Sequence, residues 1–315
     1  MERDLGKEYR FCYYPLPFEI LESSQAYAKH LRRSSQILEA VLQLCPGSRI
    51  GTTLHGNHKG LDARVITKTA IVIPDQHFPI HDQKAVNCAL EIIKIAKPDI
   101  FINLGDVGEW ETVSAWRWRD KKQPPLEYQL PLIDEEIEAV NDGIDQFDQV
   151  LDKVGVEERH ILEGNHDYWL NNFVNKYPYL KGYKFKNACH WDKRGYKFHS
   201  MNRPLRIGKL SFIHGAYVTM NHAKKHAEIY GNLVYGHTHD VTSSAIGRLD
   251  GTVKAWSMGN LKDMTAEKNE WLKGRIHNWQ HAVGHITWFK NGNFKVEVID
   301  IVKGVTAFRG EEING

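Results

Sequence analysis

An aspartate and a histidine two positions apart, Asp75 and His77, follow the apolar run Ala70-Ile71-Val72-Ile73. Four later segments are built the same way. Ile100-Phe101-Ile102 leads to Gly105-Asp106, and Ile161-Leu162 leads to Gly164-Asn165-His166-Asp167. Leu210-Ser211-Phe212-Ile213 ends on His214-Gly215, and Leu233-Val234-Tyr235 ends on Gly236-His237-Thr238-His239. One such loop is an ordinary turn signal. Five strand ends loaded with Asp, Asn and His are hard to explain as packing. Asp75, His77, Asp106, Asn165, His214, His237 and His239 are all oxygen or nitrogen donors. A mixed set of this kind suits Mn²⁺, Fe, Zn²⁺ or Ni²⁺ rather than Ca²⁺. Seven donors without a cysteine exceed the needs of one tetrahedral zinc. They suit two cations about 3.5–4 Å apart, an arrangement used for in-line displacement at phosphorus.

The elements around these loops must bring them together. A strand at 70–74, a helix at 83–96 stopped by Pro98, and a strand at 99–104 read as a βαβ unit, hence a buried parallel sheet. In such sheets ligands collect at the carboxyl ends of the strands. A helix at 132–153 and a strand at 159–163 repeat the pattern. The tail at 252–309, with period-two alternation over 294–300, reads as the closing strands of a second sheet. Residues 1–66 read as a separate helical appendage and linker, with a helix over 18–44 ended by Pro46-Gly47-Ser48 and a loop at 55–58. The remainder, 67–315, reads as one domain.

Here the residues match a known family. In order and spacing, Asp75-x-His77, Gly105-Asp106, Gly164-Asn165-His166-Asp167, His214 and Gly236-His237-x-His239 resemble the calcineurin-like metallophosphoesterases. The resemblance implies an α/β fold, a four-layer α-β-β-α sandwich with two divalent metal ions at the strand ends, Mn²⁺ foremost, with Fe, Zn²⁺, Ni²⁺ or Mg²⁺ as alternatives. It implies Asp75, His77 and His239 on the first ion, Asn165, His214 and His237 on the second, and Asp106 between them. His166 would be the acid that protonates the leaving group or would steady the transition state, Asp167 would orient it, and a bridging hydroxide would attack in line. One departure stands out. The family's second motif ends on Asp or His, whereas here it runs Gly105-Asp106-Val107-Gly108-Glu109. Glu109 suits support of a ligand more than ligation.

The implied activity is metal-dependent phosphoester hydrolysis, read as a phosphodiesterase or nuclease. A phosphomonoesterase and a cyclic-nucleotide phosphodiesterase are the alternatives, since the metal ligands cannot separate them. DNA or RNA is favoured as substrate by three segments, each with a second reading. Lys29-His30-Leu31-Arg32-Arg33 is a nucleic-acid contact or a solvated helix face. The segment 110–122, with three Trp and four basic residues, is a substrate-facing flap or a structural insert. The runs 181–186 and 193–197 bind a phosphate backbone or form the solvent faces of a hairpin. His222 and His226, around Lys224-Lys225, read as an exposed basic face, and His81, His160, His190 and His199 as structural.

Composition sets the outer bounds. With 42% hydrophobic and 25% charged residues the chain is an ordinary globular one, and a net charge of +2 supports no claim about partners. Its four Cys form no Cys-x-x-Cys pair, which argues against a thiolate zinc site. No secretory leader and no apolar run of membrane length are visible, so the chain reads as cytoplasmic, with reduced thiols and no membrane partner.

Overall fold

The computed structural model describes residues 66–315. The expected helical appendage, its basic segment and the loop at 55–58 lie outside these residues. Thirteen strands follow, with helices between them: β1 (Ile66–Ile73), α1 (Gln83–Ala96), β2 (Ile100–Asn103), α2 (Leu126–Val154), β3 (Glu158–Leu162), α3 (Asn165–Lys176) and α4 (Phe185–Ala188). Next come β4 (Tyr196–His199), β5 (Leu205–Ile207), β6 (Leu210–Ile213), α5 (His222–Tyr230), β7 (Leu233–Tyr235), β8 (Val241–Arg248) and β9 (Gly251–Met258). The chain closes with β10 (His281–Phe289), β11 (Phe294–Ile301), β12 (Val305–Phe308) and β13 (Glu311–Asn314).

Two large sheets form among the described residues, in the orders β11-β10-β1-β2-β3-β4 and β5-β6-β7-β9-β8, and β12 and β13 pair as a separate antiparallel hairpin. β1 through β4 run parallel, as do β6, β7 and β9. The apolar runs are uninterrupted because both faces of these strands are buried. Ile71, Ile73, Phe101 and Ile161 face α1, α2 and α3. Ala70, Val72, Ile102 and Leu162 face the other way, onto Leu210, Phe212, Val234 and Met258 of the second sheet. That sheet turns Ile213, Leu233, Tyr235 and Ala255 outward onto Ala223 and Ala227 of α5. Helices, sheet, sheet and helix thus stack in an α-β-β-α sandwich. Every strand that carries a candidate ligand ends on the same edge of it.

Local chemistry explains the element ends. The Asp82 carboxylate accepts from the Ala85 N–H at 3.0 Å and so caps α1. Lys97, in the left-handed region, stops it just before Pro98. α2 begins six residues earlier than the sequence predicts and runs through Pro131. A proline this near the start forfeits one backbone bond, and Leu126 and Leu130 pack on the core to offset it. The tail divides between the sheets: β9 joins the second, while β10 pairs antiparallel with β1 and brings β11 with it. β10 is buried along nearly its whole length, which fits an interior strand rather than the closing edge expected. The expected hairpin does not form either. Residues 181–183 make one 3₁₀ turn, 185–188 one helical turn with Phe185 buried, and only 196–199 is a strand.

One partly buried group should make stability depend on pH. Glu136 of α2 accepts from the N–H and hydroxyl of Thr112 at 2.9 and 3.0 Å. Burial raises its pKa from the usual 4.5 to about 7, against the pull of those two bonds. The folded protein then holds a proton that the unfolded chain has already released. Stability should fall as pH rises from about 4.5 to 7, by a total of about 3 kcal/mol. Glu136→Gln should flatten that slope in urea midpoints measured across the window.

Candidate metal centre

The seven sequence-predicted donors meet at one place, where the carboxyl ends of β1, β2 and β3 face those of β6 and β7. They form two groups. In the first, His77 Nε2 lies 3.0 Å from His239 Nε2, and His239 Nε2 lies 3.2 Å from Asp75 Oδ2. In the second, His214 Nε2 lies 3.0 Å from Asn165 Oδ1 and 3.2 Å from Asp106 Oδ2, and the His237 ring is 5.1 Å from that of His214. Asp106 Oδ2 stands between the groups, also 3.9 Å from His77 Nε2. Asp75, His77 and His239, and separately Asp106, His214 and His237, are close enough for each trio to hold one ion.

The chemistry of the donors fits cations. His214 Nδ1 lies 3.0 Å from the Leu104 carbonyl, which places a ring proton there and points Nε2 at two oxygens. Oxygens gathered around that nitrogen in a buried space call for a positive charge between them, carried by a proton or by a cation. Asp75 Oδ1 and His239 Nδ1 are buried without a hydrogen-bond partner among the described residues. Burial lowers the pKa of His77 and His237 to about 4, so both rings are neutral donors at pH 7. Burial would lower His214 too, but Asp106 beside it outweighs this and lifts it to about 9. A cation would take over the proton's role there.

The backbone is bent to make this arrangement. Asp75, His77, Asp106, His237 and His239 all have positive φ, between 23° and 70°. Left-handed backbone costs a residue with a Cβ on the order of 1–2 kcal/mol. Such outliers gather at functional loops that the surrounding fold over-determines. Gly164 and Gly236 permit the close approach. A methyl on Gly164 would collide with the Asp106 carboxylate, and one on Gly236 with that of Asp75.

No protein-family model matches the chain. It is 26% identical over 262 residues to the Gene 54 protein of Mycobacterium phage D29 and 24% identical over 257 residues to that of Mycobacterium phage L5. Each alignment covers 76% of this chain and 96% of the phage protein. Among solved structures, a dimetal phosphatase from Danio rerio overlays with a TM-score of 0.37 at 11% identity, over 79% of this chain and 98% of that one. The E. coli phosphoesterase YfcE gives 0.34 at 14%, over 73% and 98%, and Chaetomium thermophilum Vps29 gives 0.35 at 10%, over 74% and 98%. The five motifs converge on one point of the expected sandwich. The chain resembles the calcineurin-like metallophosphoesterases.

Glu109 lies against a candidate ligand, as its position in the second motif suggests, while its own partner Lys262 is one the sequence does not announce. Glu109 reaches His77, with Oε2 2.7 Å from Nδ1, which leaves the Nε2 lone pair for the centre. Lys262, almost fully buried, holds both Glu109 oxygens at 2.9 and 3.0 Å. Burial would raise the Glu109 pKa, but His77, His166 and Lys262 hold it far below the usual carboxylate range. Lys262→Met would leave that carboxylate with His77 as its one close partner among the described residues and no full positive charge against it. The expected result is a loss of about 3 kcal/mol in denaturant unfolding and roughly 10–100-fold in cation affinity by titration. Adding Glu109→Gln should recover much of the stability.

Asp167 departs from its expected role. Its carboxylate does not touch the His166 ring. It accepts from the N–H groups of Val107, Gly108 and Gly164 and from Trp110 Nε1 at 2.9–3.4 Å, tying the second and third loops together. Burial and the nearby Asp106 raise its pKa to about 7. The His166 imidazole is held instead by the Glu109 carbonyl, 3.0 Å from Nδ1, and by Trp169, whose ring lies 4.0 Å away.

His222 and His226 are buried, not an exposed face. His222 lies 2.8 Å from the Tyr235 hydroxyl and 3.1 Å from Asp240, and His226 stacks on Tyr235 at 4.0 Å. Their i, i+4 spacing, matched by Ala223 and Ala227, marks the core side of α5 and was the available signal. His160 pairs with His199 at 2.9 Å, away from the centre.

Proposed function

We propose that this chain is a metal-dependent phosphoester hydrolase that cleaves phosphodiesters, nucleic acids among them. The observation that supports it most is the pairing of two donor groups around one shared carboxylate, Asp106. Asp75, His77 and His239 would hold one divalent cation, and Asn165, His214 and His237 the other. When bound, the cations would supply Lewis acidity toward the phosphoryl oxygens and lower the pKa of water. Mn²⁺ is the first choice, and Fe, Zn²⁺, Ni²⁺ and Mg²⁺ are the alternatives.

The chain's own residues supply the rest. His166 is partly exposed at the rim of the centre, 4.8 Å from the His77 ring. Its Nδ1 is committed to the Glu109 carbonyl, so Nε2 is the atom free to give a proton to a departing alkoxide. Asp167 works at one remove, by fixing the loops that carry Asp106 and Asn165. The segment 110–122 supports a nucleic-acid substrate. Trp116 is 68% exposed, and Arg117 and Arg119 lie over the Trp118 and Trp116 rings at 5.4 and 5.9 Å.

Hydrolysis of bis-p-nitrophenyl phosphate against p-nitrophenyl phosphate, with Mn²⁺ added, tests the reading. A higher kcat/KM for the diester is expected. Preference for the monoester would move the chain to phosphomonoesterases. No turnover of either, with cation bound, would overturn the hydrolase reading. Among the described residues no helix is long and apolar enough to cross a membrane.

A further inference from the structure

Aromatic rings form a continuous line across the centre. Trp169 lies 4.0 Å from His166, His166 4.8 Å from His77, His77 4.9 Å from His239, and His239 4.6 Å from Trp279. Beyond Trp279 come His277 at 4.6 Å and Trp271 at 5.9 Å. The candidate ligands occupy the middle of the line, and a tryptophan stands at each side.

A cleft adjoins the largely buried Trp169 on one side, and an exposed tryptophan stands on the other. Next to Trp169 is a cleft of about 320 Å³ between α3 and the segment 110–123, lined also by Val113, Phe173, Asn172, Gln123 and Lys176. Its floor is largely apolar, and the Lys176 ammonium stands at its side, 3.3 Å from Gln123 Oε1. On the other side Trp271 is 57% exposed on a loop whose two ends are fastened to the centre. Lys262 holds Glu109 at one end, and at the other the Gln280 N–H donates to the His239 carbonyl at 2.9 Å. Between those ends the loop carries Lys268, Lys273 and Arg275 against Glu267 and Glu270, and Ile276 is fully exposed.

We propose that the substrate is a single-stranded nucleic acid, with bases on the two sides of the scissile phosphate stacked on these two aromatic walls. One base would enter the cleft beside Trp169, on the side of His166, and the other would lie on Trp271 and Trp279. The inference rests on the hydrolase reading of the centre between them. The exposed Trp271 indole accepts any base, and Trp169, only 7% exposed, offers a base what its cleft uncovers, whereas a duplex keeps its base faces stacked internally and cannot offer them. The lysines and arginine on either side would meet the sugar-phosphate backbone. A substrate without flanking rings would leave both walls unused.

The test is equilibrium binding, by fluorescence anisotropy, of a short labelled oligothymidylate with phosphorothioate linkages that resist hydrolysis. An abasic oligonucleotide of equal length and charge and a duplex are the comparisons, all with the full chain as purified. The intact protein should bind the base-bearing single strand at least roughly tenfold more tightly than the abasic one. Trp271→Ala should shrink that ratio by roughly fivefold or more, and Trp271→Phe should keep it. Equal binding of base-bearing and abasic strands, or duplex bound as tightly as single strand, would overturn the inference. The same binding assay with RNA separates the two chemistries of strand. Base-dependent binding without turnover of any phosphoester would refute the hydrolase and leave the stacking surface. Turnover of bis-p-nitrophenyl phosphate with no base dependence would do the reverse.

Discussion

Asp106→Asn should purify with at most one divalent cation per chain and lose roughly 10³-fold or more in kcat toward bis-p-nitrophenyl phosphate. Asp106 Oδ2 lies within 4 Å of the Nε2 atoms of both groups, at 3.2 Å from His214 and 3.9 Å from His77, whereas Asp75 approaches His214 only on the Nδ1 side, at 3.9 Å. Its other oxygen accepts from the His166 N–H at 2.8 Å, so the same side chain fixes the start of α3. Asparagine keeps the size and one acceptor but removes the charge. A terminal donor such as His237 should cost less, because its loss leaves one group complete. Elemental analysis gives the stoichiometry. Thermal unfolding gives an independent reading: chelator should lower the Tm of the intact protein by more than that of Asp106→Asn, which has at most one ion to lose. A variant that keeps both ions would remove Asp106 from its shared position.

His166→Ala should keep both ions and lose roughly 10²–10⁴-fold in kcat with substrates whose leaving group is a poorly stabilised alkoxide. The residue sits at the edge of the site, anchored through Nδ1 and packed on Trp169, and is not part of either donor trio described above. Its contribution is a proton, so it should matter in proportion to how much the leaving group needs one. With p-nitrophenyl esters, which depart as stabilised anions, the loss should be much smaller. An equal loss with both kinds of substrate would mean that His166 positions the phosphoryl group instead. His166→Gln adds a check, because an amide can hydrogen-bond but cannot serve as the acid.

The loops were legible in the sequence because their function forces a local pattern. A ligand at the end of a buried strand must follow an apolar run, and close approach of two carboxyl-bearing loops requires glycine at Gly105, Gly164 and Gly236. The layers were legible for a related reason, since strands buried on both faces read as continuous apolar stretches. What pairs across the chain was not. Lys262 lies 153 residues from Glu109, and nothing near either residue announces the pair. Trp169 and Trp279 become neighbours of the centre only through α3 and the loop before β10. The assignment of β10 to the first sheet was hidden as well, because alternation in β11 suggests an edge without saying which sheet it edges. Asp167 was misplaced in role for a simpler reason: adjacency to His166 in sequence puts the two on different sides of a helix start.

Each donor group draws on both sheets. Asp75, His77 and Asp106 leave the six-stranded sheet, whereas His214, His237 and His239 leave the five-stranded one, and both trios mix the two. Between the sheets the contact is a layer of Ala, Val, Ile, Leu, Met, Phe and Trp, and at the ligand edge His214 and the His237 N–H hydrogen-bond across it to the Leu104 carbonyl and the Asp75 carboxylate. Two ions seated across that seam would act as rivets. Their loss should therefore show first as faster shear-like opening of this edge, read as quickened amide exchange at the ends of β1, β2, β6 and β7, while the α1 and α5 faces stay protected.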